Sequence, residues 1–515
     1  MEEIFAGIDY LLGLIGPFSD AVWAFPTQFP FYQQIPVLGN LSLPVLILFG
    51  AGIYFTVRMR GVQWLALTRA IPIMMRQQQH TTGISSLAAF LLGLAMRAGP
   101  GNIVGVTGAI SVGGPGALFW MWVAALFGMA TAFTESVLSQ IYKEKADDTF
   151  VGGMPFYGQR LLGNHRFLGY VLALAFITYA LFNVPAQTFN VFTAVGLVAE
   201  TGSGMEVSRQ SPLYVTIAIL LIASCAWLIL GGIHRVIRYT NVIVPVMAVI
   251  FAGISLIIML INLTTLPDFF ALVFTQAISP DALFGGAIGA TIAEGVRRGL
   301  MSNEAGQGTI TMAAAAADTR HPCEQGLVQS LGVFFDTIII CTLTGFIVVL
   351  AHLWADTETS AAWASLSADR LGTYISSVQA LTPEGLISAI TIILATCYAL
   401  FAFTTLLGMI SFAEIAANLI SRSHRFILTI RLLGSLFFVP FGAFTVLAGL
   451  ELGNLWTITD LTNITMVYLN FPLLLLGAPL VSKALADYRQ APERRFNSDV
   501  ALGLKTPYWS ATPTP

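Results

Sequence analysis

Charge is what this sequence has least of. Only 10% of its 515 residues are Asp, Glu, Lys or Arg, against about 25% in an ordinary soluble domain, which excludes a fold with a fully hydrated surface. Cysteine is scarce as well. Cys225, Cys323, Cys341 and Cys397 stand singly, three of them in apolar stretches where a thiol serves as a small hydrophobe, so neither a disulfide framework nor a CxxC site is present. There is no long basic run and the net charge is −3, which gives nucleic acid no electrostatic footprint. The GxxxxGK[ST] loop of ATP-driven pumps is missing, as are HExxH and a serine-nucleophile elbow. The six histidines are scattered, whereas a polytopic membrane enzyme needs clustered catalytic groups. A channel would call for a repeated filter sequence, and none occurs. The opening Met1-Glu2-Glu3 lacks the basic n-region of a cleavable signal peptide.

What the chain has is hydrophobicity, at 56% of residues. Apolar windows of about 20 residues, each enough for one bilayer crossing, recur from Leu41 nearly to Val481. The expectation is an all-α polytopic membrane protein with about eleven transmembrane helices, near 41–57, 84–113, 117–141, 168–198, 213–231, 240–262, 283–317, 327–353, 385–418, 426–449 and 456–482. Nineteen of the 24 Lys and Arg residues then fall on one side and only Arg209 and Arg370 on the other. The positive-inside rule therefore puts the N-terminus outside and the C-terminus in the cytoplasm of a cell membrane. The segment near 354–384, rich in Ser, Thr and Ala, reads as an outer loop. The Pro- and Thr-rich end from Thr506 to Pro515 reads as disordered and dispensable.

Two spans are interrupted. Met96-Arg97-Ala98-Gly99-Pro100-Gly101-Asn102 and Gly299-Leu300-Met301-Ser302-Asn303-Glu304-Ala305-Gly306-Gln307-Gly308-Thr309 place Gly, Pro and polar residues where continuous helix would be expected. Unwound backbone at membrane depth is tolerated where protein buries it or water bathes it. Half-helix N-termini there can hold a carboxylate, and free carbonyls a small cation. Glycine kinks in tightly packed helices are the plainer alternative. Each break opens a block of about five spans, and an odd number makes the blocks opposite in orientation. The organisation expected is 1–83 for an outer segment, an extra helix and a cytoplasmic link, 84–262 and 283–482 for two inverted repeats, and 483–515 for a cytoplasmic tail.

Four ordered blocks carry a resemblance. They are Gly99-Pro100-Gly101-Asn102-Ile103-Val104-Gly105-Val106, Gly113-Gly114-Pro115-Gly116-Ala117-Leu118-Phe119-Trp120-Met121-Trp122, Ser302-Asn303-Glu304-Ala305-Gly306-Gln307-Gly308 and Gly332-Val333-Phe334-Phe335-Asp336-Thr337. Together they resemble the signature of the alanine or glycine:cation symporter family across nearly the whole chain. The resemblance implies a LeuT-type fold, with a 5+5 inverted repeat and one extra N-terminal helix. It also implies symport of a small neutral amino acid with sodium as the coupling ion, and no enzyme activity. Two positions depart from the family pattern: Pro100 replaces the usual threonine, and Gly308-Thr309-Ile310-Thr311 replaces Gly-Ser-Ala-Pro.

For the substrate carboxylate the candidates are the backbone at Gly99 and Gly101 with the side chain of Asn102, which can donate and accept; alternatively Asn102 caps the unwound segment. Ser302 and Asn303 are candidates for the ammonium, or for capping the helix that follows. Asn183, Gln187 and Asn190 share one helix face. The resemblance makes Gln187 the substrate contact, with interhelical bonding the alternative. It implies a sodium site from the Ala95 and Ala98 carbonyls and the Thr404 and Thr405 hydroxyls, although a Thr pair can also bond back to its own helix. Glu294 stands three and four residues before Arg297 and Arg298, a spacing for intrahelical pairs. Arg97, Glu304 and Asp336, with Glu294 and Arg297, are expected as gating or structural charges. Glu135 and Glu414 are expected to reach water at cytoplasmic ends. A proton-coupled carrier working through Glu304 is the nearest alternative function.

Overall fold

The computed structural model describes residues 7, 10, 13–35, 38–76, 82–205, 207–209, 211–278, 287–351, 370–448 and 452–510. Their regular elements are helices, apart from one two-stranded antiparallel hairpin. Helix α1 (Leu43–Arg58) is followed by α2 (Val62–Met75), which leaves at 76° through Arg60 and Gly61, both with positive φ. The expected cytoplasmic link 58–83 thus contains a helix. Helices α3 (Ser86–Arg97) and α4 (Val104–Gly113) are bent by 61° at the first break, and Ser85 caps α3 by accepting from the Ala88 amide at 3.1 Å.

The chain continues through α5 (Gly116–Ile141), the hairpin of β1 (Glu144–Ala146) and β2 (Thr149–Val151), and the long α6 (Arg166–Ser203). After α7 (Pro212–Leu230) come α8 (Ile233–Ile261) and α9 (Leu266–Ile278). The second break parts α10 (Ala287–Asn303) from α11 (Thr311–Ala316). Then α12 (Pro322–Val333) runs through a π-helical segment, Phe334–Cys341, into α13 (Thr342–Leu350). The last elements used below are α14 (Arg370–Ala380), α15 (Ile387–Ile420), α16 (His424–Leu433), α17 (Val439–Leu447) and α18 (Leu452–Gln490). Residues 354–369 of the expected outer loop lie outside the described residues, and its remainder includes α14.

Among the described residues, eight helical stretches are long and apolar enough to cross a membrane, and two bent pairs meet the same test together. The protein is a multi-pass membrane protein. Its centre is α5, where every residue from Met129 to Ile141 is buried, the polar Thr131, Thr134, Glu135, Ser136, Ser139 and Gln140 among them, so protein surrounds this part of the helix on all sides. Lipid-facing surface is supplied by helices such as α7 and α8, which expose Ile219, Trp227, Val242 and Val249. The expected span at 240–262 begins earlier, at Ile233, after Gly232 with φ of +77°. This places Arg235 and Arg238 in the first turns of a helix instead of a loop.

Two expectations are corrected by packing. Glu135 does not reach water: it is fully buried and accepts from the Gly308 amide at 3.0 Å and Asn470 Nδ2 at 3.1 Å. Glu414 accepts both Nε and Nη2 of Arg431, at 2.8 and 2.6 Å, a bidentate pairing that replaces its hydration.

The described part of the end read as disordered, residues 506–510, is packed down. Trp509 Nε1 donates to the Gln140 carbonyl at 2.6 Å, and Lys143 Nζ sits 4.0, 4.6 and 4.9 Å from the ring centres of Phe150, Tyr508 and Trp509. Lys143 also donates to the Ala317 carbonyl at 2.7 Å. Burial pushes this ammonium down to about 7, while the ring faces favour its charged form. Composition alone misread this segment because its aromatic residues find their partners at Gln140, Lys143 and Phe150, far away in the chain, as well as at Arg495 and Phe496. Replacing Trp509 with Ala is expected to destabilise the protein by about 3–5 kcal/mol. Val500→Ala, at a side chain 74% exposed, should cost under about 0.5 kcal/mol. Thermal unfolding in detergent measures both, and equal melting temperatures for the two variants would contradict the packed end.

Candidate functional site

Both breaks are unwound where the sequence places them. In the first, Gly99 is extended (φ −126°, ψ −169°), and Pro100–Asn102 form a single tight turn before α4. The side chain of Asn102 closes that turn by accepting from the Gly99 amide at 2.9 Å. A Cβ on Gly99 would stand 2.7 Å from Thr405 Oγ1, and one on Gly101 would stand 3.2 Å from the Met301 carbonyl. Glycine thus permits α15 and α10 to approach the break. In the second break, Glu304, Gly306 and Gly308 all have positive φ. Asn470 of α18 donates to the Gly306 carbonyl at 2.9 Å, and its Oδ1 accepts from Tyr157.

The two breaks are tied together. Arg97, 1% exposed, donates through Nε to the Asn303 carbonyl at 2.8 Å and through Nη1 to the Gln329 carbonyl at 2.9 Å. Asn102 Nδ2 donates to Asp336 Oδ1 at 2.6 Å and Ser302 Oγ at 3.1 Å. Ser302 donates to Asp336 Oδ2 at 2.5 Å, and Thr337 to the same oxygen at 3.0 Å. Asp336 lies on the π-helical segment, an irregularity that recurs at functional sites. Here it aims one carboxylate at both breaks.

A small pocket lies between the breaks. Its lining combines apolar residues, Met96, Met301, Met409 and Trp456, with polar ones, Tyr179, Asn183, Gln187, Glu304, Thr459 and Asn463, and Arg97, Gly99, Pro100, Gly101 and Thr405 complete it. Of the carboxylate and ammonium candidates, Gly99, Gly101 and Gln187 border this cavity. Asn102 and Ser302 stand one layer behind it in the Asp336 network. Asn303 borders a second pocket beside Leu48 and Phe127, and its amide donates to Thr337 Oγ1 at 3.1 Å. Within the amide stripe of α6, Asn190 Oδ1 accepts from Tyr398 at 2.9 Å, whereas Asn183 Oδ1 and Gln187 Oε1 are buried without a partner among the described residues.

The cation candidates divide as well. Thr405 Oγ1 lies 3.1 Å from the Ala95 carbonyl and 2.9 Å from that of Phe401, so it bridges α15 to the end of α3 near Ala98. Thr404 Oγ1 turns away, donating to the Leu400 carbonyl at 3.0 Å with Met247 Sδ at 3.9 Å.

About two turns before the cavity-lining Met301 on α10, Glu294 meets Arg298 at 3.1 Å and Arg297 at 3.7 Å. Asp460 of α18 joins both arginines, bonding Arg297 and standing 3.7 Å from Arg298. The sequence reading missed Asp460, and also Trp456, Thr459 and Asn463. Their signal was a polar stripe at spacings of three to four on one face of an apolar span.

Comparison with known proteins agrees with this architecture. The model of the sodium:alanine symporter family matches residues 33–501. The amino-acid carrier protein AlsT of Bacillus subtilis is 34% identical over 460 residues, covering 89% of this chain and 91% of that protein. The sodium/alanine symporter AgcS of Methanococcus maripaludis is 37% identical over 381 residues, covering 72% and 79%. The probable sodium/glutamine symporter GlnT of B. subtilis is 34% identical over 452 residues, covering 87% and 88%. Among solved structures, MhsT in complex with L-phenylalanine shares the fold, with a TM-score of 0.51 and 12% identity over 82% of this chain and 92% of that chain. The chain belongs to the sodium:alanine symporter family, a family of transporters and not of enzymes.

Proposed function

We propose that the protein couples inward sodium flow to uptake of a small neutral amino acid, alanine or glycine, by alternating access. The observation that carries this reading is the convergence of two unwound segments on one pocket, with the Thr405 hydroxyl and Ala95 carbonyl beside it. The substrate carboxylate lies at Gly99 and Gly101, where the following half-helix α4 presents its positive end. Asn102, Ser302 and Asn303 act from behind, fixing the shape of the breaks. Sodium, a hard cation, takes neutral oxygens from Ala95, Ala98 and Thr405, with Thr404 the nearest further hydroxyl. The names of AgcS and GlnT, both sodium-coupled, support the choice of ion.

In this reading residues 84–262 and 283–482 are the two inverted repeats, with α1 as the extra helix. The N-terminus is outside and the C-terminus cytoplasmic. The Glu294, Arg297, Arg298 and Asp460 cluster closes the cavity on the outer side. Arg97 and Asp336 keep the breaks in register.

Purified protein in liposomes is expected to accumulate labelled L-alanine or glycine under an inward sodium gradient and not under an equal potassium gradient. Accumulation driven by a proton gradient without sodium would favour the proton-coupled reading, and uptake of neither amino acid would sink the substrate assignment. Thr405→Ala should raise the sodium concentration for half-maximal uptake about tenfold, equivalent to about 1.4 kcal/mol. Thr396→Ala, on an exposed turn of the same helix, should leave it unchanged, and equal behaviour of the two variants would remove Thr405 from the ion site.

A further inference from the structure

We infer that Glu304 is the counter-charge for the α-ammonium of the transported amino acid and, with Asn183 and Gln187, sets the requirement for an amine. This rests on the small-amino-acid reading above and names the group that recognises one end of that substrate.

Three independent observations converge on Glu304. Its backbone has φ of +56°, a left-handed conformation that a non-glycine residue holds at a cost of about 1–3 kcal/mol and that clusters at ligand sites. The residue lines the cavity although it is only 5% exposed. Its carboxylate is held from one side only: Thr309 Oγ1 donates to Oε2 at 2.6 Å, and no other hydrogen bond reaches the carboxylate among the described residues. A carboxylate fixed through one oxygen leaves the other for a donor inside the cavity. Arg97, the other charged residue on the cavity wall, makes no hydrogen bond to Glu304: its Nε and Nη1 are held by the Asn303 and Gln329 carbonyls, and its Nη2 is buried without a partner among the described residues, a donor for the carboxylate end of the same substrate.

The rest of the polar wall has the same sense. Asn183 Oδ1 and Gln187 Oε1 are buried acceptors without partners, and such atoms cost free energy until a donor arrives. Asn183 is oriented by its own donations to the Tyr179 carbonyl at 2.7 Å and Thr462 Oγ1 at 2.9 Å. Three acceptors, one of them anionic, suit an ammonium with its three donors. In the same lining, Met96, Met301 and Met409 offer an adaptable apolar surface to a small side chain.

The test is equilibrium binding of labelled L-alanine and labelled L-lactate in saturating sodium. Lactate keeps the carboxylate and methyl group and replaces the ammonium with a hydroxyl. Wild-type protein is expected to prefer alanine strongly. Glu304→Gln should weaken alanine binding about tenfold or more and change lactate binding by less than about twofold, collapsing the preference. A merely structural role for Glu304 would weaken both ligands alike, and that result, or no change in either, would overturn the inference. If Glu304→Gln fails to fold, Gln187→Met, which fits a side chain of similar length, should weaken alanine by about threefold and spare lactate. Unchanged preference in Gln187→Met would then overturn it. Wild-type protein that binds no alanine would bring down the amino-acid reading together with this inference. Wild-type binding with the preference unaltered in both variants would bring down the inference alone.

Discussion

Everything in this protein turns on one constraint: helix backbone opened inside a bilayer has to find its partners within the protein. The two breaks meet it largely through each other. Arg97 at the end of α3 satisfies the carbonyl of Asn303 at the end of α10, and Asn102 in the first break reaches Ser302 in the second. Asp336 receives both of these side chains, so a third helix is committed to the same junction. Glu135 and Asn470 perform the corresponding task for the loop after α10. Removing any one of these groups would leave buried polar atoms unpaired, which is the costly half of hydrogen-bond energetics.

This explains why so apolar a chain keeps charges at its centre. Charged groups in spans are expensive and are retained where they act. Here they fall into two sets with different work. Arg97, Glu135 and Asp336 bind backbone and amides and hold the breaks in shape. Glu294, Arg297, Arg298 and Asp460 pair with one another beside the cavity. Glu304 belongs to neither set, because it lines the cavity itself.

The far end of the molecule shows the same economy of partners. The chain entering α3 and the chain leaving α11, each helix one side of a break, meet where Ile84 pairs with Ala317. The C-terminal segment covers this meeting point: the Phe496 amide donates to the Arg320 carbonyl at 2.9 Å, and Glu493 pairs with Arg320 at 3.1 Å and Arg76 at 3.3 Å. Half-helices too short to be stable alone are thereby anchored at the end away from the cavity.

Much of this was legible in the order of residues. The length of each apolar window fixes how many residues can cross a bilayer, and Gly-Pro-Gly-Asn or Ser-Asn-Glu-Ala-Gly cannot continue a helix, so the spans and both breaks follow from local chemistry. The pairing of Glu294 with Arg297 and Arg298 follows from helical spacing. What local chemistry could not supply was direction across space. Thr404 and Thr405 are adjacent in sequence, and only the packing of α15 turns one to Ala95 and the other to Met247. Asn102 and Gln187 are both amides in a span, and only the meeting of α4, α10 and the π-helical segment draws Asn102 behind the cavity wall while Gln187 stays on it. Asp460 has no sequence neighbour to reveal it, and the aromatic residues of the C-terminal segment look unstructured until Lys143 stands between them. A side chain's type and period are set by the chain, whereas which partner it meets is decided by helices hundreds of residues apart.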